Sequence, residues 1–286
     1  MRIKRNPNPP RRCIFCGGTP ISKEHIWPAW MRPYLPAGQF AQFIRSSDLR
    51  GPIPQLRAGP LNRKGDGRSQ KLKVVCRPCN NNWMSILQDR TKATLVPLLL
   101  NDIQEICEPE HELLATWATM FTMVYETCQP NPMQTATTGT QRSLFKAEQK
   151  PPQHWIFWCA PHDGVSCPIF HTGFGSVRRL ADPETVEPGK ASLTTCAVGA
   201  ISLAIFGVNS EYGFQAFSDA ISMLVEQAGF VRLWPSLGRN ISVIDRRISP
   251  LSSRELGQIH YALRAFIERE VAVSRARRSP ANNGDL

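Results

Sequence analysis

The chain has 286 residues, 42% of them hydrophobic, which is enough for one large domain or two modest ones. No run of about 18 apolar residues occurs, which excludes a membrane-spanning helix, and the charged, proline-rich start does not resemble a signal peptide. Together with the nine cysteines, this predicts a cytoplasmic protein with reduced thiols. The formal net charge of +11 favours a polyanionic partner.

Positive charge is concentrated near the start of the chain. Residues 1–12 carry five cations and no acid, and their prolines predict an unstructured basic arm. Leu56–Lys73 carries six cations against one acid and includes part of a Gly- and Pro-rich loop. Each run directly precedes a pair of cysteines, so both favour contacts with phosphates. Residues 276–286 are expected to be a disordered tail.

Two Cys-x-x-Cys pairs, Cys13 with Cys16 and Cys76 with Cys79, lie in the first third of the chain. Each pair places two sulfurs at two corners of a tetrahedron, and two pairs complete a four-thiolate Zn²⁺ site. Because four thiolates leave no open coordination position, this zinc is expected to be structural rather than catalytic. It would stabilise a segment that has too little core of its own.

The elements expected around these pairs are a helix capped by Ser22, a strand over Lys71–Val75 and a helix over Asn80–Leu100. Trp27, Trp30 and Trp83 are expected in the core of this region rather than as base-stacking groups.

Beyond residue 100, apolar spacing predicts further helices and buried strands. The helices are expected at 111–127, 214–227 and 252–274, and the strands at 155–158, 192–208 and 231–235. The fold class is therefore α+β, with one domain over 13–100 and a second over 101–275 whose role the sequence does not state.

Between the cysteine pairs lies Glu24-His25-Ile26-x-Pro28, and Asn80 directly follows the second pair. This ordered set resembles the HNH endonucleases, which have a ββα-metal fold and here an accessory zinc site. The resemblance covers about the first 90 residues. Each piece is weak alone, but their order is fairly specific.

The resemblance implies a role for each matching residue. His25 matches the general base that takes a proton from water, Glu24 matches a ligand of a divalent cation, and Asn80 matches the residue that completes the cation site. The chemistry agrees, because phosphodiester cleavage needs an activated water and a cation such as Mg²⁺ or Mn²⁺ with oxygen ligands. The implied substrate is DNA, with RNA not excluded, and the implied setting is a phage, a mobile element or defence.

Several alternatives stay open. Asn80 is also suited to cap the helix, and Asn81 or Asn82 is an alternative ligand. The family's middle asparagine, which holds the loop of the catalytic histidine, is replaced here by Lys71, and Asn62 is a candidate substitute. The competing functions are a non-catalytic zinc module that binds nucleic acid, and a protein-interaction unit in the second domain beside a degenerate nuclease.

Overall fold

The computed structural model describes residues 12–37, 44–45, 67–102, 105–128, 136–177, 189–242 and 249–276. The predicted basic arm up to residue 11, residues 56–66 of the basic run and the tail from residue 277 lie outside these ranges. The described residues mix helices and strands, which confirms the α+β prediction. No helix among them is long and apolar enough to cross a membrane.

The first part of the fold is a two-stranded antiparallel ribbon followed by a helix. We call it the cysteine module, residues 12–37 and 67–100. Its elements and a short outlying strand are β1 (Ile21–His25), a 3₁₀ turn (Ala29–Tyr34), β2 (Ile44–Arg45), β3 (Lys71–Cys76), α1 (Arg77–Cys79), a π-helical turn (Asn80–Met84) and α2 (Ser85–Leu100). Strands β1 and β3 pair with each other, whereas β2 joins a larger sheet. The strand predicted from Lys71 and the helix predicted from Asn80 are therefore present.

The expected helix capped by Ser22 is wrong. Ser22 lies in β1, and its hydroxyl donates a hydrogen bond to the carbonyl of Val75 at 3.2 Å. The ribbon pairs Ile21 with Cys76, so the two cysteine pairs lie side by side at its end. A strand forms here because β3 supplies backbone partners that a local sequence pattern does not reveal.

A six-stranded sheet forms the centre of the molecule, with the strand order β2-β6-β7-β8-β5-β9. Only β2 and β6 pair in parallel; the other neighbours are antiparallel. The remaining strands are β4 (Glu105–Ile106), β5 (Trp155–Pro161), β6 (Ile169–Val177), β7 (Gly189–Val198), β8 (Ile201–Val208), β9 (Val231–Trp234) and β10 (Ile241–Ser242), of which β4 and β10 form a small pair of their own.

Helices cover both faces of this sheet. They are α3 (Glu108–Tyr125) on one face and α5 (Glu211–Gln227) and α6 (Ser253–Ala276) on the other, while α4 (Gly139–Glu148) packs on the cysteine module. On β8, Leu203 and Ile205 join the core on the α3 side, while Phe206 joins the core against α5 and α6. Burial on both faces explains why the central strands read as unbroken apolar runs. We call the sheet with α5 and α6 the sheet region.

Helix α3 joins the cysteine module to the sheet region. All of its residues from Leu114 to Tyr125 are buried. Trp27 of the module stacks on Phe121 with 4.7 Å between ring centroids, and Phe15 packs on Phe145 of α4. One hydrophobic core therefore runs across residue 100, while the division into two domains stays a prediction.

The end of α2 also contacts the sheet. The carbonyl of Leu99 accepts a hydrogen bond from the Ala200 N–H at 3.1 Å, in the turn between β7 and β8. Gly199 in that turn has φ 55°, and a Cβ there would lie only 2.6 Å from the Leu99 carbonyl oxygen. Glycine is needed here both for its backbone angle and for the close approach.

Candidate functional site

The four paired cysteines come together at one end of the ribbon. All four sulfurs lie within 4.8 Å of one another. The Sγ of Cys16 is 3.5 Å from that of Cys76 and 3.6 Å from that of Cys79. A tetrahedral ion with bonds of about 2.3 Å requires sulfurs about 3.8 Å apart. The described residues contain no other cluster of this kind, and this one is able to hold a metal ion such as zinc.

The backbone around Cys16 forms a tight turn. The Gly17 N–H donates to the Cys13 carbonyl at 2.8 Å, and the Gly18 N–H points at the Cys16 sulfur at 3.4 Å. Gly17 has φ 69°, a conformation that glycine adopts without a steric penalty. The Cys-x-x-Cys-Gly-Gly sequence therefore aims both sulfurs and a backbone donor at one point.

The acidity of the four thiols is unequal. Burial raises the pKa of Cys79 to about 12 and also raises the pKa of Cys76. Burial acts in the same direction on Cys16, but hydrogen bonds from the Gly18 N–H and the neighbouring thiols outweigh it and lower the pKa of Cys16 to about 7. Cys16 is the exposed member of the cluster. A bound cation would favour the thiolate form of all four.

Glu24 and Asn80 come together on the other side of the ribbon. Glu24 is only 6% exposed, and its Oε1 accepts a hydrogen bond from Gln88 Nε2 at 3.3 Å. Burial raises the pKa of Glu24 to about 7, although hydrogen bonds from Gln88 and Asn80 oppose the rise. The Asn80 amide therefore faces the Glu24 carboxylate with an N–H group, as Gln88 does, and the carboxylate supplies the oxygen type that Mg²⁺ and Mn²⁺ prefer.

Asn80 also bonds to β1, which fixes its position. Its Nδ2 donates to Ser22 Oγ at 3.1 Å. The alternatives Asn81 and Asn82 are exposed, whereas Asn80 is half-buried. Of the three asparagines, Asn80 is therefore the one that the structure brings to Glu24. Asn62, the candidate substitute for the family's middle asparagine, lies outside the described residues.

His25 is half-buried at the end of β1, and its neighbour across the ribbon is Lys71. Partial burial lowers the pKa of His25, and the positive charge of Lys71 lowers it further. The neutral imidazole, which is the form that accepts a proton, is thus favoured at neutral pH. Glu24, His25 and Gln88 line one narrow cleft of about 10 Å³, which has room for no more than about one water molecule.

The far wall of this cleft is apolar and belongs to α3. It consists of Trp117, Met120, Phe121 and Val124. This wall explains the burial of Glu24, because a carboxylate beneath it loses contact with water. Sequence reasoning missed both the wall and Gln88. Gln88 is eight residues after Asn80, and helical periodicity would place the two on one face.

The other histidines have different surroundings. His111, His162, His171 and His260 are buried, and each bonds to a hydroxyl or a backbone carbonyl. None of them belongs to a metal-ligand cluster among the described residues. Trp27 and Trp83 are buried, as expected for core residues, and Trp30 packs against them at the edge of the core.

Comparisons with protein-family models, with curated proteins and with solved structures found no match to this chain.

Proposed function

We propose that this chain is a metal-dependent endonuclease of the HNH type that hydrolyses phosphodiester bonds in DNA. The observation that supports the proposal is the contact between two groups predicted from the motif, next to the third in the same strand. The Glu24 carboxylate and the Asn80 amide lie in hydrogen-bond contact, and His25 follows Glu24 in the same strand and lines the same cleft. The ribbon-then-helix order that joins them is also the order of a ββα-metal fold.

Each residue has a definite task in this proposal. The imidazole of His25 takes a proton from water, which attacks phosphorus while the bond to the leaving sugar oxygen breaks. Glu24 and Asn80 would hold Mg²⁺ or Mn²⁺, which supplies charge stabilisation at the phosphate and the leaving oxygen. Cys13, Cys16, Cys76 and Cys79 would hold a structural Zn²⁺ that keeps β1 and β3 together, and their sulfur spacing fits that ion.

The test is cleavage of supercoiled plasmid with Mg²⁺, with Mn²⁺ and with a chelator. We expect His25→Ala to cut about a hundredfold or more slowly, with folding, zinc content and DNA binding retained. His154→Ala is the matched control, because His154 is also half-buried but packs against Phe214 far from the cleft. Equal rates for His25→Ala and the native protein would overturn the assignment of the base.

Variants of the proposed cation ligands should respond differently to added cation than the His25 variant does. Glu24→Gln and Asn80→Ala weaken the cation site, so higher Mg²⁺ or Mn²⁺ should partly restore their activity. No concentration of cation should restore His25→Ala. Restoration of all three, or of none, would contradict the assigned division of roles.

One observation favours a second candidate, a zinc module that binds nucleic acid without cutting it. Glu24 is almost fully buried under α3, and access to its carboxylate is narrow. A native protein that binds DNA but leaves it intact with every divalent cation would support this candidate over the nuclease.

A further inference from the structure

Lys71 lies directly opposite the proposed base. In the antiparallel register, His25 pairs with Lys71 and Glu24 pairs with Leu72. Residues that pair across such a ribbon point to the same side, with Cβ atoms about 4.5–5.5 Å apart. Leu72 is buried with Glu24, whereas Lys71 is exposed beside the half-buried His25. The ammonium group therefore stands at the open side of the imidazole.

The ribbon offers no exposed acid to neutralise this charge. Lys23, Lys71 and Lys73 are exposed, and Glu24, the only acid in β1 or β3, is buried. No ion pair is formed by Lys71 among the described residues, which include all of both strands. An anion that approaches His25 from solvent thus meets the Lys71 cation at the same point of the strand pair.

We propose that Lys71 contacts a non-bridging oxygen of the phosphate that is cleaved, and so takes a place in the site that a neutral asparagine occupies in the HNH pattern. This inference rests on the proposed function. A phosphate attacked by water held at His25 must lie within a few ångströms of the imidazole. The four-carbon side chain of a lysine on the facing strand spans that distance, and its charge is complementary to the phosphate.

The charge, rather than the size, of Lys71 then matters for the reaction. An ammonium placed against the phosphate stabilises the negative charge that builds up on its oxygens in the transition state. A lysine that only raised the general affinity for DNA would change binding and leave the rate of the bound complex alone.

The experiment compares three variants of the full chain on a short DNA duplex, with kcat and KM measured separately. Lys71→Gln removes the charge and keeps most of the length, and we expect kcat to fall about tenfold or more. Lys71→Arg restores the charge and should return kcat to within about threefold of native. Lys73→Gln is the matched control, because it removes the same charge from an exposed position of the same strand, about 7 Å further along. Because Lys73 belongs to the basic run expected to contact DNA in general, its loss should change KM and leave kcat within about threefold of native.

The outcomes separate this inference from the proposed function. Equal loss in Lys71→Gln and Lys73→Gln, or a loss in KM alone, overturns the contact with the cleaved phosphate while the nuclease stands. If the native protein cuts no DNA with any divalent cation, the nuclease fails, and with it the role of Lys71. Unchanged thermal stability of Lys71→Gln shows that its effect is not structural.

Discussion

The cysteine module and the sheet region differ in the surroundings of their polar side chains. In the sheet region, His260 lies at 0% exposure between two threonine hydroxyls, at 3.0 Å from Thr172 and 3.1 Å from Thr195. In the module, His25 is half-buried in a cleft with a carboxyl group beside it. The first arrangement satisfies the hydrogen bonds of a histidine inside a core, and the second leaves a histidine partly accessible to solvent.

The two regions also differ in what holds them together. The sheet region has six strands with helices on both faces and two apolar layers. The module has a two-stranded ribbon, which is too small to be stable alone. It depends on the cysteine cluster at one end and on α3 beside it. The larger region is therefore held by its own core, whereas the smaller one carries the residues assigned to the proposed reaction.

Removal of one cysteine should affect the module most. We expect Cys76→Ser to lose the single equivalent of zinc and to unfold the module, because structural zinc contributes about 10 kcal/mol or more to such small folds. Elemental analysis and circular dichroism test this, with Cys107→Ser, an exposed cysteine outside the cluster, as the control. Full zinc content in Cys76→Ser would refute the four-thiolate site.

The dependence of the module on α3 is tested next. Phe121→Ala removes a buried ring that stacks on Trp27 and should cost about 3–5 kcal/mol. Phe217→Ala removes an equally buried ring from the other core layer and should cost a similar amount. Only Phe121→Ala should speed the release of zinc to a chelator. Equal release rates in both variants would mean that α3 does not hold the module.

The pH dependence of the module should follow Glu24. Its pKa is raised to about 7 in the folded protein, so the uncharged form is favoured there. The contribution of protonated Glu24 to the free energy of unfolding is fully present below pH about 4.5. It is lost as the pH rises through 7, and the total loss is about 3 kcal/mol. In urea denaturation without divalent cations, the free energy of unfolding of Glu24→Gln should rise relative to that of the native protein by about that amount between pH 5 and 8.

The control for this pH dependence is Glu148→Gln, which changes an exposed carboxylate of α4. If the free energy of unfolding of Glu24→Gln and that of the native protein changed with pH in parallel, Glu24 would not be shielded from water. Added Mg²⁺ should remove part of the penalty at pH 8, because cation binding favours the ionised carboxylate.

The sheet region should show the opposite pH dependence. Burial lowers the pKa of His260 to about 3, helped by the charges of His171 and Arg264. The contribution of a neutral buried histidine to the free energy of unfolding is fully present above pH about 6.5. It is lost as the pH falls toward 3, and the loss at pH 5 is about 2 kcal/mol. In urea denaturation, the free energy of unfolding of His260→Gln should therefore differ less between pH 5 and pH 7 than that of the native protein. An unchanged loss would place the acid-sensitive group elsewhere.

The features that could be predicted from the sequence are those that depend on local patterns of residues. The spacing of Cys13, Cys16, Cys76 and Cys79 predicted the cluster because metal ligands require particular atoms at particular spacings. Apolar patterns predicted α3 and α6 and the strands β5, β7, β8 and β9 because helical faces and strand faces repeat within a short window, but they did not predict β6. The role of Asn80 was left open between three neighbours, since a local pattern does not say which side chain turns inward.

Tertiary structure alone decided what surrounds the motif. Ser22 became part of a strand because β3, about fifty residues away, supplies its backbone partners. Glu24 became buried, and its pKa rose, because α3 covers it with an apolar wall. Pairing and burial depend on residues that are distant in the chain. The sequence near the motif therefore specified the candidate site residues, and only the folded chain specified their solvent access and charge.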